Sequence, residues 1–293
     1  MPSFLPRFCD LVIRRPAIGV ALGLLFVLGS IALSTRSLLA FFSIEGLVIV
    51  VGGVIAVAFM SFARDDVRQA LDAVAALFGS KREAAPQEEL HRAMAEIIGW
   101  AQVIKEHGPR RLEARLGAQG VADPFVNYGL NMVVSGYEPQ EVRSMMETAA
   151  DALYERDAAP VEVLHTMTSH APAFGMIGTL IGMVAMLYRL TDDVSGIGAN
   201  LSVAFLSTLY GVVSARLIYM PAAAKLRQAI ADRRFRNQLI TEGMVMLVSE
   251  KSTMYIQDHL NSFLRPEHHN YLDHFKIAAK RGQAPARLKV IGA

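Results

Sequence analysis

The stretch Ala171–Tyr188, APAFGMIGTLIGMVAMLY, carries no charged side chain. A bilayer core about 30 Å thick needs about 20 apolar residues at a helical rise of 1.5 Å each, so this run is long enough to cross one. It is followed by a second run, Val194–Ala215, across a connection holding Arg189, Asp192, Asp193 and a glycine-rich turn, and the pair extends to Pro221. Upstream, Pro16–Leu33 and Gly46–Ala63 form another uncharged pair, joined by a short connection with Arg36 and Glu45. The expectation is an all-α membrane protein with four transmembrane helices in two hairpins and a helical cytoplasmic domain.

Composition points the same way. The 293 residues are 53% hydrophobic with a mean hydropathy of +0.32, more apolar than a soluble protein of this length. A net charge of +2 gives no global reason for a nucleic-acid partner. The single cysteine, Cys9, excludes an internal disulfide framework and a multi-cysteine metal site. There is no Walker A loop, no His-Glu-x-x-His pair and no Gly-x-Ser-x-Gly elbow, so neither an enzyme nor a bound cofactor is expected. Any work is drawn from the membrane gradient, worth about 2.3 kcal/mol per elementary charge per 100 mV.

Lys and Arg resist translocation, and their placement sets orientation. Arg7, Arg14 and Arg15 precede the first span, Arg64 and Arg68 follow the second, and Lys225, Arg227, Arg233, Arg234 and Arg236 follow the fourth. Each outer connection has one Arg. Both termini and the long central segment therefore face the cytoplasm of a bacterial inner membrane, in a multi-pass chain. A cleaved signal peptide ending near Ser34 is the competing reading of the N-terminus; its apolar run is longer than a usual signal core, and its removal spoils the charge pattern.

Four regions follow: a transmembrane hairpin over 1–63, a cytoplasmic helical domain over 64–169, a second hairpin over 170–221 lining an ion path, and cytoplasmic helices with a basic tail over 222–293. Val67, Leu71, Val74 and Leu77/Phe78 recur at helical spacing in the second region. Gly79–Gln87, Gly108-Pro109 and Asp123-Pro124 interrupt it. Leu226–Leu264 reads as one or two further helices.

Gly175, Gly178 and Gly182 give the third span a small-residue face, and Gly19 with Gly23 repeats the arrangement in the first. Such faces let helix backbones approach in lipid, and packing alone explains them. Thr179 sits one turn from Gly175 and Gly182, while Ala204, Thr208, Gly211 and Ala215 share a face of the fourth span, next to Ser207. Two readings stand. Each hydroxyl bonds a carbonyl of its own helix at i−4, or the hydroxyls line a path where oxygen replaces the water of a passing cation.

Neither run of the second hairpin contains Asp or Glu, although proton relays use intramembrane carboxylates. A cation path here needs an acid from a second subunit. Glu45 lies at the outer mouth of the second span and reads as interfacial, as His170 does at the opposite boundary. Pro172 is read equally as a kink or as a helix start, since Val161–His170 can continue the helix into the cytoplasm.

Ala171–Met183, with Ser207-Thr-Leu-Tyr-Gly211 and Met220-Pro-Ala-Ala-Ala-Lys-Leu226, closely resembles the MotA/PomA family of flagellar stator proteins, within the MotA/TolQ/ExbB superfamily. Ile49-Val-Val-Gly-Gly53, Thr241-Glu-Gly243 and Asn261-Ser-Phe-Leu264 extend the resemblance over most of the chain. It implies a homo-oligomeric ring of five chains around a dimer of a single-span MotB/PomB-type partner whose aspartate receives the ion. It implies that Pro172 and Pro221 couple ion flow to conformational change, and that Thr179 and Thr208 lie beside the ion site. It also implies contact with the rotor protein FliG through Lys105 and Glu113, where Lys105 keeps the charge of the family's arginine without its planar fork. Arg110 and Arg111 stand where the family is apolar, and Thr168-Ser169 where it has Gly-Asp. Without the family these charges are a solvated helix face.

The function so implied is ion-driven torque for motility and chemotaxis. An ExbB/TolQ-type energiser of envelope proteins has three spans, which the N-terminal hairpin argues against; a passive scaffold whose glycines and threonines only pack is the other rival. The cargo is sodium or a proton, with Thr179 a modest argument for sodium.

Overall fold

The computed structural model describes residues 16–34, 41–79, 86–108, 112, 122–189 and 197–264. Among them there is helix and no strand. They divide into two compact units: Met1–Glu83 with Leu153–Asp232, and Ala84–Ala152 with Arg233–Ala293. This division follows packing and cuts across the division by apolar runs.

In the first unit, α1 is Pro16–Ser34, uncharged throughout. α2 spans Ile44–Ser61 and starts two residues before the apolar run at Gly46, because Ser43 caps it by accepting the Gly46 N–H at 3.2 Å. It loosens into a π turn at Val48–Gly52 and ends where Phe62 turns extended. α3, Arg64–Phe78, follows at once, with Asp65 and Asp66 suiting the positive end of its dipole. It buries Val67, Ala70 and Leu77 while Phe78 remains exposed.

In the second unit, α4 is Pro86–His107, with Glu88 and Glu89 in its first turn and Lys105 and His107 in its last. α5, Pro124–Ser135, shows complete punctuation. Asp123 accepts the Phe125 and Val126 N–H groups, Pro124 takes the first position, and Gly136 closes the helix at φ +75°. The breaks expected at Gly108 and Asp123-Pro124 are thus helix ends, each with its stop or start residue in place.

α6 is the longest element, Pro139–Arg189, and passes through Pro160 and Pro172. Pro172 is therefore an interior proline and not a helix start. α7, Ile197–Ser214, runs through a π turn at Ala215–Tyr219 into α8, Met220–Val248. The expected end at Pro221 does not occur: the Met220 N–H bonds Ala215 O across the π turn, and the helix continues. α9, Thr253–Asn261, is capped by Ser252, whose hydroxyl accepts the Tyr255 N–H at 3.2 Å.

Ile44–Ser61, Pro139–Tyr188 and Leu201–Val248 contain stretches long and apolar enough to cross a membrane; the apolar stretch of α1, Gly19–Leu33, is shorter. Three of the four expected spans meet that measure. The first unit's core is built largely from small residues, with Ala58, Ala70, Ala171, Ala215, Ala222 and Ala223 fully buried beside Val54, Val67 and Leu164. The second buries large ones, Met94, Ile97, Leu130, Met146, Leu239, Ile240, Met244, Ile256 and Leu260.

Candidate functional site

α6 and α7 approach closely, in places backbone on backbone. A Cβ on Gly175 would lie 3.0 Å from both Ser207 O and Thr208 Cα, and one on Gly182 would lie 2.9 Å from Ala204 N. At Gly211 it would meet Ala171 O at 2.5 Å and Pro172 Cα at 3.2 Å, and at Gly178 the Ser207 side chain at 2.5 Å. Alanine's single carbon is excluded at these positions unless the helices separate. Pro172 is held in this contact and Pro221 lies just beyond the π turn.

The close approach brings oxygens together. Thr179 Oγ1 lies 2.5 Å from Thr208 Oγ1, and it is within donating distance of Gly175 O at 3.2 Å and of Ala204 O at 3.1 Å. Thr208 Oγ1 also reaches Gly175 O, at 3.2 Å. Ser207 Oγ reaches Gly175 O at 3.2 Å and Ala204 O at 2.8 Å. Three hydroxyls and two carbonyls from two helices form one polar cluster in an apolar setting.

Each hydroxyl has one proton to donate and two lone pairs. The protons satisfy the carbonyls, or one threonine satisfies the other, and lone pairs remain on the hydroxyl oxygens. Thr179 and Thr208 are half-buried at the edge of the helix contact, whereas Ser207 is fully buried within it. The threonine hydroxyls thus lie at the accessible edge of the contact, and Ser207 ties α6 to α7 from inside. Of the three hydroxyls, Thr179 reaches its own i−4 carbonyl and also bonds across to the neighbouring helix, whereas Thr208 bonds across to Gly175 O.

α2 seals the back of the cluster. A Cβ on Gly46 would lie 3.3 Å from Ser207 N, and one on Gly53 would strike the Phe174 ring. Among the described residues, no group of three or more His, Cys, Asp or Glu side chains could hold a metal ion. The available ligands here are hydroxyl and carbonyl oxygens.

The family model described as the MotA/TolQ/ExbB proton channel family matches residues 118–238, which include the whole of this cluster. Motility protein A of Aquifex aeolicus is 32% identical over 72% of this chain and 81% of its own length. The chain belongs to the MotA/TolQ/ExbB family. Chemotaxis protein PomA of Vibrio alginolyticus is 29% identical, covering 84% of this chain and 93% of its own length. A solved structure of C. jejuni MotAB superposes with a TM-score of 0.74 over 86% of this chain and 96% of that one, at 21% identity, which shows a shared fold. These two relatives carry motility and chemotaxis names, and the family resemblance read from the span motifs holds.

Other expected residues are not gathered at this cluster. Lys105 is exposed in the last turn of α4, while Arg110, Arg111 and Glu113 lie outside the described residues. His170 is exposed and its Nδ1 lies 2.9 Å from Thr166 O. Thr168, the first residue of the Thr168-Ser169 pair, donates to Leu164 O at 2.7 Å.

Sequence reasoning missed an ion pair in the second unit. Arg143 grips Glu242 with both guanidinium nitrogens, Nη1 on Oε1 and Nη2 on Oε2, the latter at 2.9 Å. Glu147 lies 3.7 Å from Arg143, and His259 Nε2 lies 3.8 Å from Glu242. The Arg143 hydrogen bond holds the Glu242 carboxyl below the usual carboxylate range against the opposing effect of burial, and the same bond raises Arg143. Glu242 belongs to the quoted Thr241-Glu-Gly243 motif, but 99 residues separate it from Arg143 and no local spacing pairs them.

Proposed function

We propose that this chain is the ring subunit of an ion-driven flagellar stator, four-span and with both termini cytoplasmic. In this reading five copies surround a MotB/PomB-type single-span partner, and cation transfer onto that partner's aspartate turns the ring. Torque passes to FliG through cytoplasmic charges including Lys105 and Glu113. The observation that carries the reading is the paired Thr179 and Thr208 hydroxyls, half-buried on a glycine-lined helix contact whose two apolar runs hold no carboxylate. A cation needs oxygen ligands to replace its water, and a path without its own acid needs a partner to supply one. The relatives' names and the MotAB fold support the same assignment. Pro172, inside α6 and packed on Gly211, and Pro221, beside the π turn, are the points where a backbone lacking a donor can change its bend as the ion passes.

The cluster favours sodium over a proton, because hydroxyl oxygens coordinate a metal cation and a proton needs only an acceptor. Swimming speed against external sodium at fixed pH, in a strain carrying this chain as its sole stator ring subunit, tests both statements. Losing one hydroxyl is worth about 1–2 kcal/mol, so Thr179→Ala raises the sodium concentration for half-maximal speed about 5- to 30-fold. A sodium-independent wild type transfers the cargo to protons. Normal swimming in a strain with no stator ring gene overturns the stator assignment.

A further inference from the structure

Tyr210 lies two residues beyond Thr208 on α7. Its hydroxyl donates to Phe41 O at 2.6 Å and accepts the Ser43 N–H at 2.8 Å. Phe41 and Ser43 are on the segment that leads into α2, and Ser43 is also the residue that caps it. Both backbone groups stand ahead of α2, Phe41 in a 3₁₀ turn and Ser43 at the cap, so this one phenol satisfies a donor and an acceptor of the segment entering an apolar span. Leaving such groups unpaired there is costly.

The strap has a second anchor one turn further along α2. Gly46 packs against the backbone of Ser207, where a Cβ would stand 3.3 Å from Ser207 N and 3.4 Å from Ser207 Cα. The start of α2 therefore grips α7 on both sides of Thr208 in sequence, at Ser207 by close approach and at Tyr210 by hydrogen bonds. Gly175 of α6 packs on the same turn, with a would-be Cβ 3.0 Å from Thr208 Cα. The Ser207–Tyr210 turn is thus held by both α2 and α6. Directly after the grip, α2 loosens into its π turn at Val48–Gly52, a local change of helical register of the kind found at functional sites.

We propose that Tyr210 is a positioning residue for cation passage: its hydroxyl pins the entry of α2 to α7 and so holds Thr208 at hydrogen-bond distance from Thr179. This rests on the reading of the threonine pair as cation ligands. Tyr210 itself has no part in coordination. Its proton and one lone pair are committed to the backbone at Phe41 and Ser43, so it acts by fixing the distance between two oxygens that do coordinate.

The test uses the assembled stator in cells, with membrane abundance measured by immunoblot and swimming speed read against external sodium at fixed pH. A parallel series varies external pH in sodium-free potassium buffer, and the ion that drives the wild type sets the scale. Tyr210→Phe keeps the ring and removes both hydrogen bonds. The expected result is a rise of at least threefold in the half-saturating ion concentration, with maximal speed and membrane abundance within a factor of two of wild type. A merely structural role lowers abundance and maximal speed together and leaves the half-saturating concentration unmoved, which overturns the proposal.

If Tyr210→Phe does not accumulate, Gly46→Ala decides, since it keeps Tyr210 and wedges one carbon against the Ser207 backbone. A shift in its half-saturating concentration supports the clamp, and no shift overturns it. Thr208→Ala separates the two levels of argument. If Thr208→Ala shifts the ion dependence and Tyr210→Phe does not, the positioning role fails alone. If Thr208→Ala leaves it unchanged, the ligand reading fails and takes the positioning role with it.

Discussion

Both units contain glycines set tightly against side chains, but only the first, where α6 meets α7, also sets glycines against backbone. In the first unit a Cβ on Gly211 would meet the Ala171 carbonyl oxygen at 2.5 Å, and one on Gly175 or Gly182 would meet backbone of α7 at 2.9–3.0 Å. In the second unit a Cβ on Gly129 would meet the end of Met146 and Cγ of Met244, and one on Gly243 would meet the Ile97 side chain. One set of contacts is backbone on backbone, which cannot yield; the other is backbone on flexible side chain, which can. The contrast suits the proposed placement of the first unit's spans in lipid and of the second unit in water. Helices in lipid gain little from burying large apolar side chains, since lipid is as apolar as leucine, and they associate by close backbone approach and interhelical hydrogen bonds. A unit folding in water gains about 25 cal/mol per Å² of apolar surface removed from it, so large side chains dominate its core.

The sharpest way to break this comparison is at Gly211. Gly211→Val is expected to abolish assembly of the membrane complex, because even its Cβ has no space without driving α6 from α7. Co-purification of an affinity-tagged chain with its neighbours checks it, and wild-type yields would show that the contact is not rigid.

In the second unit the large effect comes instead from removing volume. Leu260→Ala empties a fully buried site in α9 and is expected to cost about 2–5 kcal/mol, read as loss of hydrogen-exchange protection in α9 and α4 of the full chain in nanodiscs. The same truncation at exposed Leu180 on α6 changes packing far less and provides the control.

Glu242→Gln comes next. It breaks the two-pronged bond to Arg143 and is expected to cost about 1–3 kcal/mol. The pH dependence has a definite sign. Folded Glu242 has a lowered pKa, so its stabilisation is present above the ordinary glutamate range and is lost as pH falls through the lowered value. Acid unfolding of the second unit monitored from pH 7 to pH 3 should therefore be steeper in the wild type than in Glu242→Gln.

The smallest expected effect has the opposite sign. A Cβ at Gly99, inside α4, meets nothing within 4 Å, so Gly99→Ala is expected to stabilise by about 0.5–1 kcal/mol through helix propensity alone. Hydrogen exchange of α4 measures it, and a loss of stability would mean that the open space is occupied in the assembled complex.

Much of the candidate site was legible along the chain. Thr179 with Gly175 and Gly182, and Thr208 with Ala204 and Gly211, were grouped correctly onto faces because helical spacing is a property of local sequence. Their meeting was not legible in detail. That Thr179 would reach Ala204 O, or that Ser207 would be sealed inside while the threonines stayed half-buried, depends on the depth at which two helices interlock. The phenol of Tyr210 looked like one more residue of a span motif, and its partners lie 167 and 169 residues away. Pro172 permitted two readings because a proline is tolerated both at a helix start and, with a kink, in its interior; neighbours on α7 hold the helix through it.

Sequence alone determined that this chain is helical and built around apolar runs, that its second hairpin brings hydroxyls and no carboxylate, and which family its span motifs match. These follow from run length, periodicity and residue type, which act within a few turns of helix. Tertiary structure decided which oxygens converge, which hydroxyls stay reachable, how the start of α2 pins the Thr208 turn, and that Arg143 chooses Glu242. Those are distances between segments up to 169 residues apart, and only packing sets them.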